Sequence, residues 1–489
     1  MGEFHDQSPT GEHVISPKHT AASATVLRRG TVLATVPVAL AALLATAGAT
    51  AAATPGSAGV GDPYFPLAGN GGYHVAHYDL NLRYEPRGHH LDGKAVLTAR
   101  ATQRLAHFNL DLKGLKVTGV TVDHTKASFR RDGQELVVTP RAALRKGHTF
   151  RVAVTYRGVP KPVTDPDGSK EGWLRTDDGA FVVGQPQGAM GWFPANNHPK
   201  DKSSYDFTIT VPEGHTAVAN GVYRGKRTAH GRSTFRWRQS EPMAAYLATA
   251  TVGKFTVQQH TTRDGIKIFN AVDPREAAAA APVLKKLPSV LEWGSGLFGR
   301  YPYRSAGSIV DHAPDVGYAL ETQTRPIYPS APDVSTLVHE SAHQWFGDSV
   351  SVTSWKDIWL NEGFATYAEW LYSEQHGGPR AQKFFDELYA RPAGDELWAF
   401  PPADPGSGAK IFETPVYARG AMALHQLRKA VGDRVFFRIV RAWATQHRHG
   451  HGTTAQFTAL AERKSGKDLD KLFRTWVHTS GKPAVSPKR

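Results

Sequence analysis

The stretch that decides the fold runs from residue 338 to residue 367 and reads VHESAHQWFGDSVSVTSWKDIWLNEGFATY. His339 and His343 stand four apart with Glu340 directly after the first. On a helix both imidazoles would leave one face, a turn apart, which is the spacing of metal ligands. Catalytic zinc takes three protein groups and keeps a fourth position for water. Glu362 fits as the third: eighteen residues separate it from His343, enough for a turn, an extended excursion and re-entry on a second helix. A bare H-E-x-x-H is a weak signal, and a structural histidine pair is its plain alternative. The surroundings favour the metal. Leu337, Val338, Ala342 and Phe346 give an apolar stripe for a buried helix, and LNEGFATYAEWL gives a second helix that turns Glu362 inward.

A single Zn2+ held by His339, His343 and Glu362 would make hydroxide available near pH ~7. Glu340 cannot sit on the metal if both histidines do. It is then placed as general base toward the water, passing the proton on to a leaving amine. The chemistry implied is hydrolysis of an amide carbonyl, with a Tyr or Arg from elsewhere as a further stabiliser of the tetrahedral oxyanion.

Composition bounds the alternatives. A chain of 489 residues, 40% apolar and 10% aromatic with eleven Trp, is globular and long enough for two to four domains. It has no cysteine, which excludes a disulfide framework, a thiol nucleophile and Cys-held metal. The net charge of +14 comes entirely from beyond residue 53, since Glu3, Asp6 and Glu12 balance Lys18, Arg28 and Arg29. Lys and Arg are scattered among Asp and Glu rather than gathered into a readout patch, so no nucleic-acid partner is expected. Loose attraction to anionic cell-envelope polymers is the more natural consequence.

Residues 27–53 read as a targeting segment: Arg28 and Arg29 precede an apolar run, 32–44, and then small residues, ATAGATAAATPG. The run is too short and too rich in Ala for a confident membrane span. Export by general secretion is expected, with no integral span in the mature chain; an uncleaved N-terminal anchor is the alternative.

From about Tyr73 the pattern becomes one of strands. Tyr78, Leu80, Leu82 and Tyr84 alternate with polar neighbours, as do Phe108, Leu110 and Leu112, then Phe150, Val152, Val154 and Tyr156. This predicts an antiparallel β domain with one buried face over 60–255. Within it the Gly-, Pro- and Asn-rich 184–199, GQPQGAMGWFPANNHP, reads as an irregular loop bearing two amides, Gln185 and Gln187. Polar pairs on loops carried by a sheet are frequent binding groups; two solvated turn glutamines are the alternative. A boundary is placed within 256–274, followed by a mainly helical domain over 256–489. Pro282 and Pro288 interrupt an Ala-rich helical stretch, and a short strand is expected at 308–310. Helices are predicted at 380–397, 418–431, 435–446, 454–465 and 469–477, with Thr453 or Thr454 capping the fourth. His447, His449 and His451 alternate in a Gly-bearing loop, read as a solvated turn rather than a second metal site.

The combination H-E-x-x-H-x18-E with HQWFGD and WLNEGFATY resembles the aminopeptidase N family of gluzincin zinc metallopeptidases, and the likeness runs from about Tyr73 to the C-terminus. The resemblance implies an α+β architecture: an antiparallel β-saddle, then a thermolysin-like, mainly helical zinc domain. It implies that Tyr417, in VYARGAMALHQLR, supplies the oxyanion hydrogen bond, and that Glu321 contacts the α-amino group of a peptide substrate. The family's G-x-M-E-N appears here as Y-A-L-E-T: Tyr318 replaces Gly, Leu320 replaces Met and Thr322 replaces Asn. A carboxylate at 321 still meets an ammonium, although the fit of the first substrate side chain changes. Gln185 and Gln187 occupy the place where the family helps hold the substrate N-terminus. FRTWVHTSGKPAV resembles the end of the catalytic domain, so a short two-domain member with an open cleft is expected, as a monomer. The resemblance thus implies an exported aminopeptidase acting on peptides with a free N-terminus. An endopeptidase that has lost its grip on the amine and a silent peptide-binding module are the rivals; the intact His339, Glu340, His343, Glu362 and Tyr417 speak against the second.

Overall fold

The computed structural model describes residues 52–484; of the expected leader only the last two residues fall within that range. An N-terminal β-rich part is followed by a mainly helical part. The largest sheet has eight strands, in the order Val222–Ala229, Arg232–Ala244, Lys202–Pro212, Tyr73–Glu85, His90–Ala101, Thr149–Gly158, Lys116–Val122 and Thr125–Lys126. Its alternation is the one the sequence carries: Tyr78, Leu80, Leu82 and Tyr84 are buried, as are Phe150, Val152, Val154 and Tyr156. One join departs from the antiparallel expectation. Lys202–Pro212 runs parallel to Tyr73–Glu85, Tyr205 opposite Tyr78, because the chain leaves the sheet for a second, five-stranded one and returns beside its own first strand. Stacking of Tyr78 on Tyr205 at 4.8 Å seals that join.

The segment 184–199 is no solvated loop. Trp192 and Phe193 are buried, and the backbone is tied to the strand Leu105–Asp111 and its flank: Asp111 N donates to Ala195 O at 2.8 Å and Lys113 N to Met190 O at 2.7 Å. Asp111 also accepts at Oδ2 from Asn197 N at 2.8 Å. Burial, opposed by these hydrogen bonds, pushes the Asp111 carboxyl up to about 7.

In the second part a four-stranded sheet runs Thr256–Thr261, Lys267–Val272, Ser305–Val310, Ile327–Tyr328. Helices pack beside it: α1 (Ala277–Leu284), α2 (Leu287–Phe298), α3 (Val334–His343), α4 (Trp359–Gln375), α5 (Ala381–Tyr389), α6 (Gly420–Val431), α7 (Asp433–Gln446), α8 (Thr454–Ser465) and α9 (Asp470–Phe473). Thr453 caps α8 through a reciprocal capping box with Gln456. The expected helix 380–397 stops at Tyr389, since Pro392 and Gly394 follow; only a short turn, Glu396–Trp398, remains beyond. The helix predicted from 469 likewise ends at Phe473 and gives way to a π turn, Arg474–His478. The histidines of 447–451 do not converge: His447 Nδ1 pairs with His451 O at 2.7 Å, His449 faces the Tyr303 ring at 5.7 Å, and Gly450–Gly452 forms a parallel strand with Val350–Val352.

Two helices are brought together by missing side chains. A Cβ on Gly363 of α4 would lie 2.9 Å from the Gly420 carbonyl carbon, and one on Gly420 would lie 3.0 Å from Gly363 Cα. Gly363 follows Glu362 and Gly420 lies just beyond Tyr417, so this backbone contact sets how closely those two side chains approach. Arg419 is buried beside it and donates to Trp476 O at 3.0 Å and Thr475 O at 3.1 Å, binding the C-terminal segment to the same junction. Gly363→Ala is expected to force α4 and α6 apart at a cost of about 1–3 kcal/mol. Denaturant unfolding checks it; an unchanged midpoint would contradict the contact.

Candidate active site

α3 begins at Asp333, whose side chain accepts from Thr336 N at 2.7 Å. It ends at His343 in a tight turn in which Gly347 adopts φ +126°, and a Cβ there would lie 3.2 Å from His343 Nδ1. The chain then passes through Val350–Val352 and the short turn Trp355–Asp357 into α4. Phe346 stacks on Phe364 at 4.3 Å and fastens the two helices. This is the excursion between helices that the eighteen-residue spacing implies.

His339 Nε2 lies 3.5 Å and His343 Nε2 3.3 Å from Glu362 Oε2, and the three donor atoms all fall within 4.8 Å of one another. Ligands held at about 2.0–2.2 Å from a tetrahedral ion stand roughly 3.3–3.5 Å apart, so these residues fit a zinc-sized cation. The rings are fixed from behind. His339 Nδ1 meets Glu369 Oε1 at 2.7 Å and His343 Nδ1 meets Phe346 O at 3.0 Å, which turns both Nε2 atoms to the shared centre. Glu369 was not singled out in the sequence, but it stands seven residues after Glu362 on the same helical face.

A cavity of about 260 Å³ opens over this cluster and is lined also by Gln185, Tyr318, Glu321, Glu340, Glu369 and Tyr417. Four carboxyl groups, those of Glu321, Glu340, Glu362 and Glu369, thus share one small space with two imidazoles. Such a set is costly to bury unless cations or protons compensate it. Glu362 resists the upward push of burial and is held down to about 2 by His343 and His339, while His343, though buried, is raised to about 9 by Glu362 and Glu321. Burial, opposed by His343 and reinforced by Glu362 and Glu340, lifts Glu321 to about 7. Glu340 is raised by burial against the opposing pull of His339 and His343, and its Oε2 has no hydrogen-bond partner among the described residues.

The remaining sequence-predicted residues divide. Glu321 is buried; its Oε1 accepts from Gln185 Nε2 at 2.8 Å, in the cavity that His339, His343 and Glu362 also line. Gln344 of the α3 terminus fixes its backbone, donating to Glu321 O at 3.0 Å and accepting from Thr324 N at 2.7 Å. Tyr417 stands on a π turn, Pro415–Arg419, its ring 6.2 Å from that of His339. Burial and the carboxylates of Glu362, Glu321 and Glu340 keep its phenol far above the usual range, and so protonated. Gln187 does not line the cavity: its amide turns to Asp165 at 3.5 Å, while its N–H donates to Glu171 Oε1 at 2.7 Å. Burial raises both carboxyls, Asp165 to about 6, and the charge of Asp165 raises Glu171 further; by accepting from Gln187 the two brace the loop that carries Gln185.

Two family models match the sequence, that of the peptidase family M1 domain over residues 321–476 and that of the peptidase M1 N-terminal domain over residues 74–247. The chain belongs to peptidase family M1. Among curated relatives, a glutamyl aminopeptidase of Rattus norvegicus is 25% identical over 381 residues, covering 71% of this chain and 39% of that protein. Aminopeptidase M1 of Arabidopsis thaliana is 28% identical over 331 residues, covering 62% and 37%. The chain spans about half or less of the length of these curated relatives. Among solved structures, the M1 zinc metallopeptidase of Deinococcus radiodurans superposes with a TM-score of 0.80 at 29% identity, covering 88% of this chain and 98% of that one. A point mutant of it bound to a Tyr-Ser-Ala substrate gives the same TM-score at 28% identity, covering 88% and 99%. This M1 chain shares with that structure both its β-rich and its helical part.

Glu369→Ala is expected to leave the fold intact while weakening zinc binding about 10- to 100-fold by freeing the His339 ring. Competition titration against a chromophoric chelator reads this; wild-type affinity in the variant would show that the ring is held by other means.

Proposed function

We propose that this chain is an exported, zinc-dependent aminopeptidase that removes N-terminal residues from peptides. The observation that carries the reading is the placement of Glu321, buried and paired with Gln185, in the same cavity as His339, His343 and Glu362. A buried carboxylate in the same cavity as the metal-binding residues would receive the α-ammonium of a peptide chain and so hold the substrate by its first residue. The relatives named as aminopeptidases support the same assignment.

His339, His343 and Glu362 would hold the zinc ion, which when bound would supply Lewis-acid polarisation of the carbonyl and an acidified water. Glu340, with Oε2 unengaged by protein, takes a proton from the attacking water and returns it to the departing amine nitrogen. The protonated Tyr417 hydroxyl donates to the oxyanion as charge develops there. Glu321 accepts from the substrate ammonium, and Gln185 steadies that carboxylate while offering its own carbonyl to the same group. Gln187 acts at one remove, through the Asp165–Glu171 brace that fixes the loop. Tyr318 narrows the cleft where its family resemblance has glycine, its hydroxyl tethered to Lys170 O at 3.0 Å, which favours small or slender first side chains. Export rests on residues 27–53, which lie almost wholly outside the described range.

A panel of aminoacyl substrates, free and N-acetylated, assayed in culture medium and lysate, tests the whole reading. Free-amine substrates should be cleaved by the medium fraction and acetylated ones left intact, with Glu340→Gln lowering kcat by about 100- to 10,000-fold while zinc is retained. Equal cleavage of the acetylated substrates would replace the aminopeptidase with an endopeptidase, and full activity of Glu340→Gln would remove the general-base role.

A further inference from the structure

A second cavity, of about 800 Å³, lies where the edge of the eight-stranded sheet meets the helical part, and it shares no residue with the zinc cleft. Five of its thirteen lining residues are Lys or Arg and one is a carboxylate, against 58 and 44 of 489 in the chain. The cavity is therefore cationic well beyond the general basicity of the protein. These charges do not come from one basic run. Arg224 stands on the strand Val222–Ala229 and Arg238 on Arg232–Ala244; Lys267 opens the strand Lys267–Val272; Arg300 and Arg304 lie between α2 and Ser305–Val310. Folding gathers them from four separate segments into one space.

The carboxylates nearby do not neutralise the set. Asp206 lies 3.5 Å from Arg238 and Glu241 lies 3.9 Å from Arg304. Arg224, Lys267 and Arg300 form no ion pair among the described residues, and Asp264 is the lone acid in the lining. A volume of this size is that of small-ligand sites, roughly 300–1,000 Å³. A single carboxylate would answer one of the three free cations. A phosphate chain carries several charges along its length, and guanidinium forks match phosphate oxygens two at a time.

We propose that this cavity binds an oligophosphate, either free or as the phosphate chain of a larger molecule. Arg224, Lys267 and Arg300 supply the uncompensated charge. Because the sheet edge and the helical part both line it, an occupant would bridge the two and stabilise the protein against unfolding. The assignment is independent of the peptidase reading.

Calorimetric titration and thermal unfolding of the full chain in magnesium-free buffer, with tripolyphosphate and with ATP, test it. Saturable one-to-one binding with a rise in Tm is expected. The double variant Lys267→Gln, Arg300→Gln should bind about tenfold more weakly or worse, with unchanged Tm in the absence of ligand and unchanged peptide hydrolysis. Both exchanged side chains are exposed and leave the zinc cleft untouched, so any chelation of zinc by the phosphates affects variant and wild type alike. Tighter binding of ATP would assign the site to a nucleotide's phosphate chain, tighter binding of tripolyphosphate to the free oligophosphate. Equal affinity in the double variant and wild type, stabilisation by sulfate at matched ionic strength as large as that by tripolyphosphate, or no saturable binding of either probe would overturn the proposal.

Discussion

Two imidazole nitrogens and one carboxylate oxygen, 3.3 and 3.5 Å across from one another, form the constraint that the rest of the helical part serves. Each distance depends on a different packing device. The Asp333 cap and the Gly347 turn define where α3 starts and stops. The Phe346–Phe364 stack sets its separation from α4. The bare-backbone contact of Gly363 with Gly420 draws Tyr417 toward the cluster. Glu369 then removes the one rotation left to the His339 ring. Four carboxyl groups around two imidazoles leave an excess of negative charge that a dication answers better than protons can.

The other side of the cavity is built by other means, from segments with little regular structure. Residues 318–325 are pinned at Glu321 and Thr324 by Gln344 and at their end by Arg325. That guanidinium is fully buried over Trp237 at 4.7 Å and Phe269 at 5.2 Å and donates to Phe269 O and Gly221 O. It has no carboxylate partner among the described residues; burial lowers it to about 9, and the carbonyls of both sheets satisfy its donors. Gln185 reaches the cavity from the β-rich part on a loop held by Asp111 on one side and the Asp165–Glu171 pair on the other. Irregular backbone can be this rigid only because its polar groups are paired internally.

How much of this could be read from the sequence follows from the range of the forces involved. The pairing of His339 with His343 was legible because helical periodicity is local: the two share a face whatever lies around them. Strand alternation at Tyr78–Tyr84 was legible for the same reason, and so was the Thr453 cap. Nothing local marks Glu321 as buried, because its hydrogen-bond partner Gln185 stands 136 residues away in sequence. The parallel join of Tyr73–Glu85 with Lys202–Pro212 is equally non-local, and no turn signal marks it. Gln187 carried the same residue type as Gln185 but faces the other way, toward Asp165, a distinction that only the loop's path decides. Glu369 had a readable signal, its seven-residue offset from Glu362, which becomes informative once the helix is known to be unbroken.

The most direct test of the account is zinc K-edge X-ray absorption on the purified full chain, paired with metal analysis. One zinc per chain is expected, with two imidazoles and one carboxylate at about 2.0–2.2 Å, and one imidazole fewer in His343→Ala. A sub-stoichiometric metal content after zinc addition, or a coordination shell unchanged by removal of His343, would contradict it.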